Sequence, residues 1–173
     1  MTSTPVWIVA AVLLFWCVGA YNRLVRLRNV IVQRFVPVDE QFKLRHALLV
    51  QQADALAPML ADTPQWLDAL RAACAQADAA HARARTRPWA TGSTTSLRLA
   101  EDILSDTRAR WPAETTTSAE LADIHTRLAA SDATLAFARR QFNDAVEEYN
   151  HAVRQFPTWL IASLFSFRAA GAL

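Results

Sequence analysis

The sequence is poor in the residues that build catalytic and nucleotide-binding sites. It has only three glycines among 173 residues, and it contains neither a P-loop nor the glycine fingerprint of a dinucleotide-binding fold. Its two cysteines, Cys17 and Cys74, are too few for the disulfide framework of a small secreted domain. No stretch alternates polar residues with valine, isoleucine or aromatic residues in the way of a β-strand. We therefore expect an all-α protein that is not an enzyme and binds no cofactor or metal.

Acidic residues are absent from the first part of the chain. Residues 1–38 contain four arginines and no Asp or Glu, a charge of +4, whereas the other 14 basic and all 16 acidic residues follow. The net charge of +2 and the isoelectric point near 8.8 therefore reflect one basic segment. We expect no nucleic-acid partner, because a net charge of +2 is weak evidence for one and the basic segment directly follows the most apolar stretch of the chain.

Residues 6–21 (VWIVAAVLLFWCVGAY) carry no charge and precede this basic segment. With the flanking Pro5 and Asn22 they reach 18 residues, near the lower limit for crossing a bilayer. Aromatic side chains lie toward both ends, as is typical of membrane interfaces. The anchor residues that we predict are Val6, Trp7, Ile8, Leu13, Leu14, Phe15, Trp16 and Tyr21.

Two other interpretations of this segment stay open. A cleaved signal peptide fits the small residues Val18-Gly19-Ala20, but the residues before the apolar run include no Lys or Arg. A buried core helix would normally keep a polar stripe, which is absent here. A retained anchor accounts for every feature. Because basic flanks stay in the cytoplasm, it places the N-terminus outside and the remaining chain inside. The topology-determining residues are then Arg23, Arg26, Arg28 and Arg34.

The chain beyond the anchor predicts four helices. Their expected ranges are 22–60, 64–87, 94–110 and 118–156. The breaks between them are Ala61-Asp62-Thr63-Pro64, Pro88 to Ser93, Trp111-Pro112 with Thr115-Thr116-Thr117-Ser118, and Phe156-Pro157. Pro37 and Pro58 lie inside the first helix, and we expect each to kink or interrupt it.

The fourth helix shows the clearest periodicity, with large apolar residues at every seventh position. These are Leu121, Leu128, Leu135, Phe142, Tyr149 and Phe156. A second set lies between them: Ile124, Ser131, Ala138, Ala145 and Ala152. The first helix has a matching series: Phe35, Phe42, Leu49 and Leu56. Such heptads predict a seam between the two helices with coiled-coil packing.

Short connections predict an up-down antiparallel bundle of these four helices. Because the second and third helices are shorter, we expect a four-helix head on a two-helix stalk, with Pro37 inside the stalk. The domains are then residues 1–21, the bundle 22–156 and a hydrophobic tail 157–173. The tail either enters the membrane interface or packs on the first helix. For the interface, the inserting residues would be Trp159, Leu160, Leu164 and Phe167.

Three sequence segments carry a family resemblance. Residues 21–30 (YNRLVRLRNV) and 138–150 (ARRQFNDAVEEYN) resemble the signatures of the LemA family, and so do Phe156-Pro157 and the following Leu160-Ile161-Ala162. Phe142 replaces the family's usual Tyr, and Val36-Pro37-Val38-Asp39 departs from its usual pattern. The resemblance implies an extended helical bundle on an anchor in a bacterial inner membrane, without established catalytic activity.

Polar residues near the seams are the remaining candidate sites. They are Asn22, Asn29, Asp39, Gln41, Arg139, Asn143, Asp144 and Asn150. We expect Asp39 to form an ion pair with Arg139 or Arg140, and Asn143 to bond across to the first helix near Phe35. Such groups either fix the alignment of helices or form a docking surface for a partner.

Metal binding and nucleophilic catalysis find little support. Glu148-x-x-His151 and Asp78-x-x-His81 have the spacing of di-iron ligands, but they fall at different heights in the bundle. We interpret His81 as a core histidine and His46, His125 and His151 as solvent-facing. Cys74 lies on a packing stripe, where a cysteine acts as a small apolar residue.

Two functional hypotheses follow. The first is a non-enzymatic membrane-anchored scaffold or adaptor. The second is an accessory subunit of a membrane enzyme, such as an envelope-quality-control protease. The expected partners are the lipid bilayer and membrane or cytoplasmic proteins, and a homo-oligomer is an open alternative.

Overall fold

The computed structural model describes residues 3–59, 64–110 and 118–173, and within them the chain is all α-helical, as predicted. The helices are α1 (Ser3–Leu56), α2 (Pro64–Thr86), α3 (Thr91–Ala109), α4 (Ala119–Arg154) and α5 (Thr158–Leu164). Ser118 caps the N-terminus of α4, where its side chain accepts a hydrogen bond from the Leu121 amide. The predicted breaks at 61–63 and 111–117 lie outside the described residues.

α1 is one continuous helix of 54 residues, about 80 Å long. It runs through the boundary that we predicted between an anchor and a bundle. Pro37 lies inside it, so of the two effects that we predicted there, a kink or an interruption, the interruption does not occur. Phe35 and Val38, on either side of this proline, are buried and hold the helix in place. Pro58 lies beyond the end of α1, which stops at Leu56.

α1 and α4 form the main packing pair and run antiparallel. Three contacts define their register. Arg34 Nη1 donates to Gln141 Oε1 at 2.7 Å. The ring centroids of Phe35 and Phe142 lie 5.7 Å apart in an edge-on contact. Further along, the side-chain nitrogens of Gln52 and His125 are 2.8 Å apart.

The heptad residues lie between these two helices, with one exception. The structure buries Phe35, Phe42, Leu49, Leu56, Leu121, Leu128, Leu135, Phe142 and Tyr149. The second set on α4, from Ile124 to Ala152, is buried as well. Phe156 is 73% exposed, which differs from the prediction. α4 ends at Arg154 and Gln155 is extended, so the helical period no longer directs Phe156 inward. Pro157 also disfavours helical geometry at Phe156, the residue before it.

α2 packs against α1 and α3, whereas no Cα atom of α3 comes within 8 Å of one in α4 over the full described length of both. The bundle is therefore open on one side.

The predicted two-helix stalk also differs from the structure. Trp89 lies in the connection between α2 and α3, and its ring centroid is 4.0 Å from the guanidinium carbon of Arg28. The shorter helices thus reach well past Pro37 and leave little of a two-helix stalk.

Candidate functional site

The last six residues of the chain form an extended segment along α4, which we call the C-terminal strap (residues 168–173). Asn150 holds it with both ends of its amide: Nδ2 donates to the Ala170 carbonyl at 2.9 Å, and Oδ1 accepts from the Ala170 N–H at 2.7 Å. Asn143 makes the same pair of bonds with Leu173, both at 2.8 Å. The Tyr149 hydroxyl donates to the Arg168 carbonyl at 3.0 Å. The side-chain amide of asparagine offers a donor group and an acceptor. It therefore satisfies the N–H and C=O of one strap residue, as the backbone of a neighbouring β-strand would.

The spacing of the two asparagines matches the strap. Seven residues along a helix, from Asn143 to Asn150, span about 10 Å. Three residues of extended chain, from Ala170 to Leu173, also span about 10 Å. Two amides on one face of α4 can therefore grip residues of the strap that lie three positions apart.

The other edge of the strap contacts the beginning of α3. Gly171 N–H donates to the Trp89 carbonyl, and the Thr91 hydroxyl donates to the Ala169 carbonyl, both at 3.3 Å. A Cβ atom on Gly171 would overlap the Thr94 side chain and lie 2.8 Å from Thr91 Cα. Only a glycine permits this approach, and the strap thereby links α3 to α4 where their backbones are apart.

Two predictions about the polar motif residues need correction. Asn143 bonds to the strap and not to α1, where Phe35 contacts Phe142 instead. Asp39 forms no ion pair with Arg139 or Arg140. It pairs with Lys43 one helical turn away and lies 2.9 Å from Nε2 of His81 on α2.

The other motif residues stay near the surface. Asn22, Asn29 and Asp144 are exposed, and Gln41 accepts from the Ser131 hydroxyl at 3.5 Å. The four arginines of the basic segment divide into two pairs. Arg23 and Arg26 are exposed, whereas Arg28 lies over Trp89 and Arg34 bonds to Gln141.

The open side of the bundle is a groove between α3 and α4, crossed by charged side chains. Arg45 of α1 donates to Glu101 of α3, and its other terminal nitrogen lies 3.4 Å from Asp132 of α4. Arg108 of α3 also bonds to Asp132, at 3.1 Å. Cavities of about 300 and 480 Å³ lie along this groove and share Ser105, Arg108 and Asp132 in their walls.

Arg45 and Glu101 are 8% and 6% exposed, so this ion pair is buried. Sequence reasoning missed it, although a signal exists. Arg45 follows Phe42 by three residues and precedes Leu49 by four, which places it on the packed face of α1. Glu101 stands in the same way between Leu97 and Leu104 on α3.

His81 is buried against the rings of Phe35 and Phe42, as expected of a core histidine. Burial lowers the pKa of His81, and the nearby Asp39 opposes this effect only in part. The imidazole is therefore neutral at pH 7. Burial likewise raises the pKa of Cys74 and favours its thiol form.

The remaining histidines lie nearer the surface: His125 and His151 are exposed, and His46 is half-buried. Among residues 3–59, 64–110 and 118–173, no three His, Cys, Asp or Glu side chains come together as metal ligands. Glu148 and Asp78, the acidic partners in the two di-iron-like spacings, are both exposed.

These features define an all-α protein with two long antiparallel helices, two shorter ones and a C-terminal strap pinned by asparagines. The family model of the LemA family matches residues 34–173, and the chain belongs to that family. The match begins within α1, beyond the apolar segment, and includes α4 and the strap. Searches of curated proteins and of solved structures gave no match.

Removing the amide of Asn150 should release the strap. The substitution Asn150→Ala deletes two hydrogen bonds, each worth about 1 kcal/mol. We expect hydrogen exchange at the Ala170 amide to accelerate by roughly 10-fold or more, measured by mass spectrometry. Asn29→Ala, the same change at an exposed position of α1, is the control. Unchanged exchange in Asn150→Ala would show that the strap is held by other contacts.

Removing one partner of the buried ion pair should lower the free energy of unfolding more than replacing both partners by apolar residues. Arg45→Met leaves the Glu101 carboxylate buried without its cation, and we expect a loss of about 3–5 kcal/mol in the free energy of unfolding. Adding Glu101→Leu removes the unpaired charge and should restore most of that loss. Denaturant titration followed by circular dichroism measures both variants. Equal destabilisation of the single and double variants would contradict a buried charge as the cause.

Proposed function

We propose that this LemA-family chain is a membrane-anchored, non-enzymatic helical scaffold or adaptor. One observation carries the proposal: α1 is a single helix whose first part is exposed and apolar and whose later part is packed. Trp7, Leu14 and Phe15 are 73%, 64% and 77% exposed, whereas Leu24 is fully buried. α1 is the one described helix long and apolar enough to cross a membrane.

The exposed apolar surface of α1 argues for a lipid environment. Each Å² of apolar surface left in water costs about 25 cal/mol, and a continuous helical surface of this kind marks a contact with membrane or protein. The interpretation as a buried core helix finds no support, since most of the apolar window faces outward. A lipid bilayer would cover the segment over its whole circumference.

The basic flank supports an orientation. Arg23 and Arg26 are exposed directly after the apolar segment, and basic residues at the end of a span stay on the cytoplasmic side. We place the N-terminus outside and the bundle in the cytoplasm, at the inner membrane of a bacterium.

The proposal of a binding role without chemistry rests on how the polar groups are used. Arg45 bonds to both Glu101 and Asp132, and Asn143 and Asn150 bond to the strap. These groups maintain the bundle itself. Its outer faces and the groove between α3 and α4 are then the surfaces presented to partners.

Fusions and membrane extraction test the anchor. We expect a fluorescent protein joined after Leu173 to be fluorescent at the membrane, and alkaline phosphatase joined there to be inactive, because the bundle is cytoplasmic. Leu14→Arg places a charge in the span at a cost of about 3 kcal/mol, and it should move the chain into the carbonate-extractable fraction.

Leu99→Arg on α3, where Leu99 is 59% exposed, is the matched control and should leave the chain in the membrane. Active phosphatase would reverse the orientation. A mature chain that begins directly after Ala20 would show that the apolar segment is a cleaved signal peptide, and would overturn the anchor.

Crosslinking in the membrane tests the scaffold role. Photo-reactive residues at the exposed positions Phe137 and Leu99 should trap other membrane or cytoplasmic proteins without loss of bundle helicity. Recovery of a single enzyme in fixed proportion would favour the accessory-subunit hypothesis over an adaptor. Crosslinks to the same chain alone would indicate a homo-oligomeric scaffold.

A further inference from the structure

We propose that α5 and Phe165 form a second membrane contact, lying at the boundary between headgroups and hydrocarbon beside the anchor. The contact consists of Trp159, Leu160, Leu164 and Phe165, and the partner is the lipid of the same bilayer. The inference rests on the anchor proposed above and adds a second element to it.

α5 is attached to the part of α1 that adjoins the apolar segment. It packs against α1 and α4, with Ile161 and Ala162 buried. The Tyr21 ring makes edge-on contacts with Phe165 and Phe167, at centroid distances of 5.0 and 5.7 Å. The predicted packing of the tail on the first helix is therefore present.

Phe165 also reaches the apolar segment itself. Together with Tyr21 it lines a cleft of about 280 Å³, and the other walls are Leu14, Cys17 and Val18. Leu14 lies about 10 Å further along the axis of α1 than Tyr21. If Tyr21 marks the cytoplasmic boundary of the span, then Phe165 lies at that boundary or on its lipid side. Phe165, and with it the adjoining end of α5, therefore cannot remain in water while residues 14–21 are in lipid.

The chain reverses at the end of α5. Ser166 has a positive φ of 57°, and the residues after it lead back along α4 as the strap. Leu164 and Phe165 are thus the tip of a loop that extends toward the apolar segment. The strap holds the returning half of this loop, so the tip is fixed relative to α1.

The outer face of the loop has the composition of an interfacial element. Trp159 and Leu160 are each 46% exposed, Leu164 is 74% and Phe165 is 54% exposed. Residues 155–173 contain no Asp or Glu, and their one charged residue, Arg168, is exposed, as are Arg23 and Arg26. Tryptophan favours the membrane interface, and amphipathic elements insert there by about 5–10 Å. Both Phe165 and Phe167 contact Tyr21, but Phe165 stays 54% exposed whereas Phe167 is half-buried. Phe165 therefore replaces Phe167 among the four residues predicted to insert.

Position-specific labelling of the full chain tests this contact. Cys17→Ala and Cys74→Ala provide a background without thiols, and single cysteines at Leu164 or Leu160 carry an environment-sensitive NBD dye. The labelled chains are reconstituted in vesicles of phosphatidylethanolamine and phosphatidylglycerol. We expect both dyes to be quenched by lipids with a nitroxide near the headgroup, and several-fold less by aqueous iodide than a dye at Leu99.

A dye at Leu13 separates this inference from the proposed anchor. Lipid quenching at Leu13 together with full iodide quenching at Leu164 and Leu160 would overturn the second contact and leave the anchor intact. Loss of lipid quenching at Leu13 would overturn both. Protection at Leu164 that disappears when the protein is diluted with lipid would indicate a second copy of the chain as the partner, and would also overturn the inference.

Discussion

The antiparallel packing of α1 on α4 is the interaction on which the rest of the molecule depends. Large apolar side chains from both helices alternate along it, and the edge-on contact of Phe35 with Phe142 fixes its register. The remaining parts are placed by this pair. α1 directs Asp39 toward α2 and Arg45 toward α3, whereas α4 directs its asparagines toward the strap.

The side of the bundle between α3 and α4 is closed by polar groups instead of apolar packing. Arg45 of α1 bonds to both α3 and α4, and the strap links these two helices at the end nearer the apolar segment. Buried charges pay a desolvation penalty that offsets much of their mutual attraction, so this ion pair adds little stability compared with apolar packing. A side joined in this way keeps a groove, which a closed apolar seam would not.

The continuity of α1 connects this bundle to the proposed anchor without a hinge. Pro37 leaves the helix unbroken, because the side chains around it are packed against α4 and α2. A rigid connection of this kind transmits the tilt of the anchor to the bundle. The loop at Ser166 lies beside Tyr21, at the end of the apolar segment, where Phe165 contacts the Tyr21 ring.

The sequence by itself determined α2, α3 and α4, the seam and the apolar segment, because each depends on a local period or on the composition of one stretch. The continuity of α1 and the short helix α5 were not predicted. Heptads at Leu128 and Phe142 fix which face of α4 is buried wherever the helix lies. Only the tertiary structure decided the partners of the polar residues. Asp39 and Arg139 lie at similar heights, yet Asp39 faces α2, and Asn143 meets a strap that is distant in sequence. A helical period states which face a side chain occupies, but its partner depends on which element the fold brings to that face.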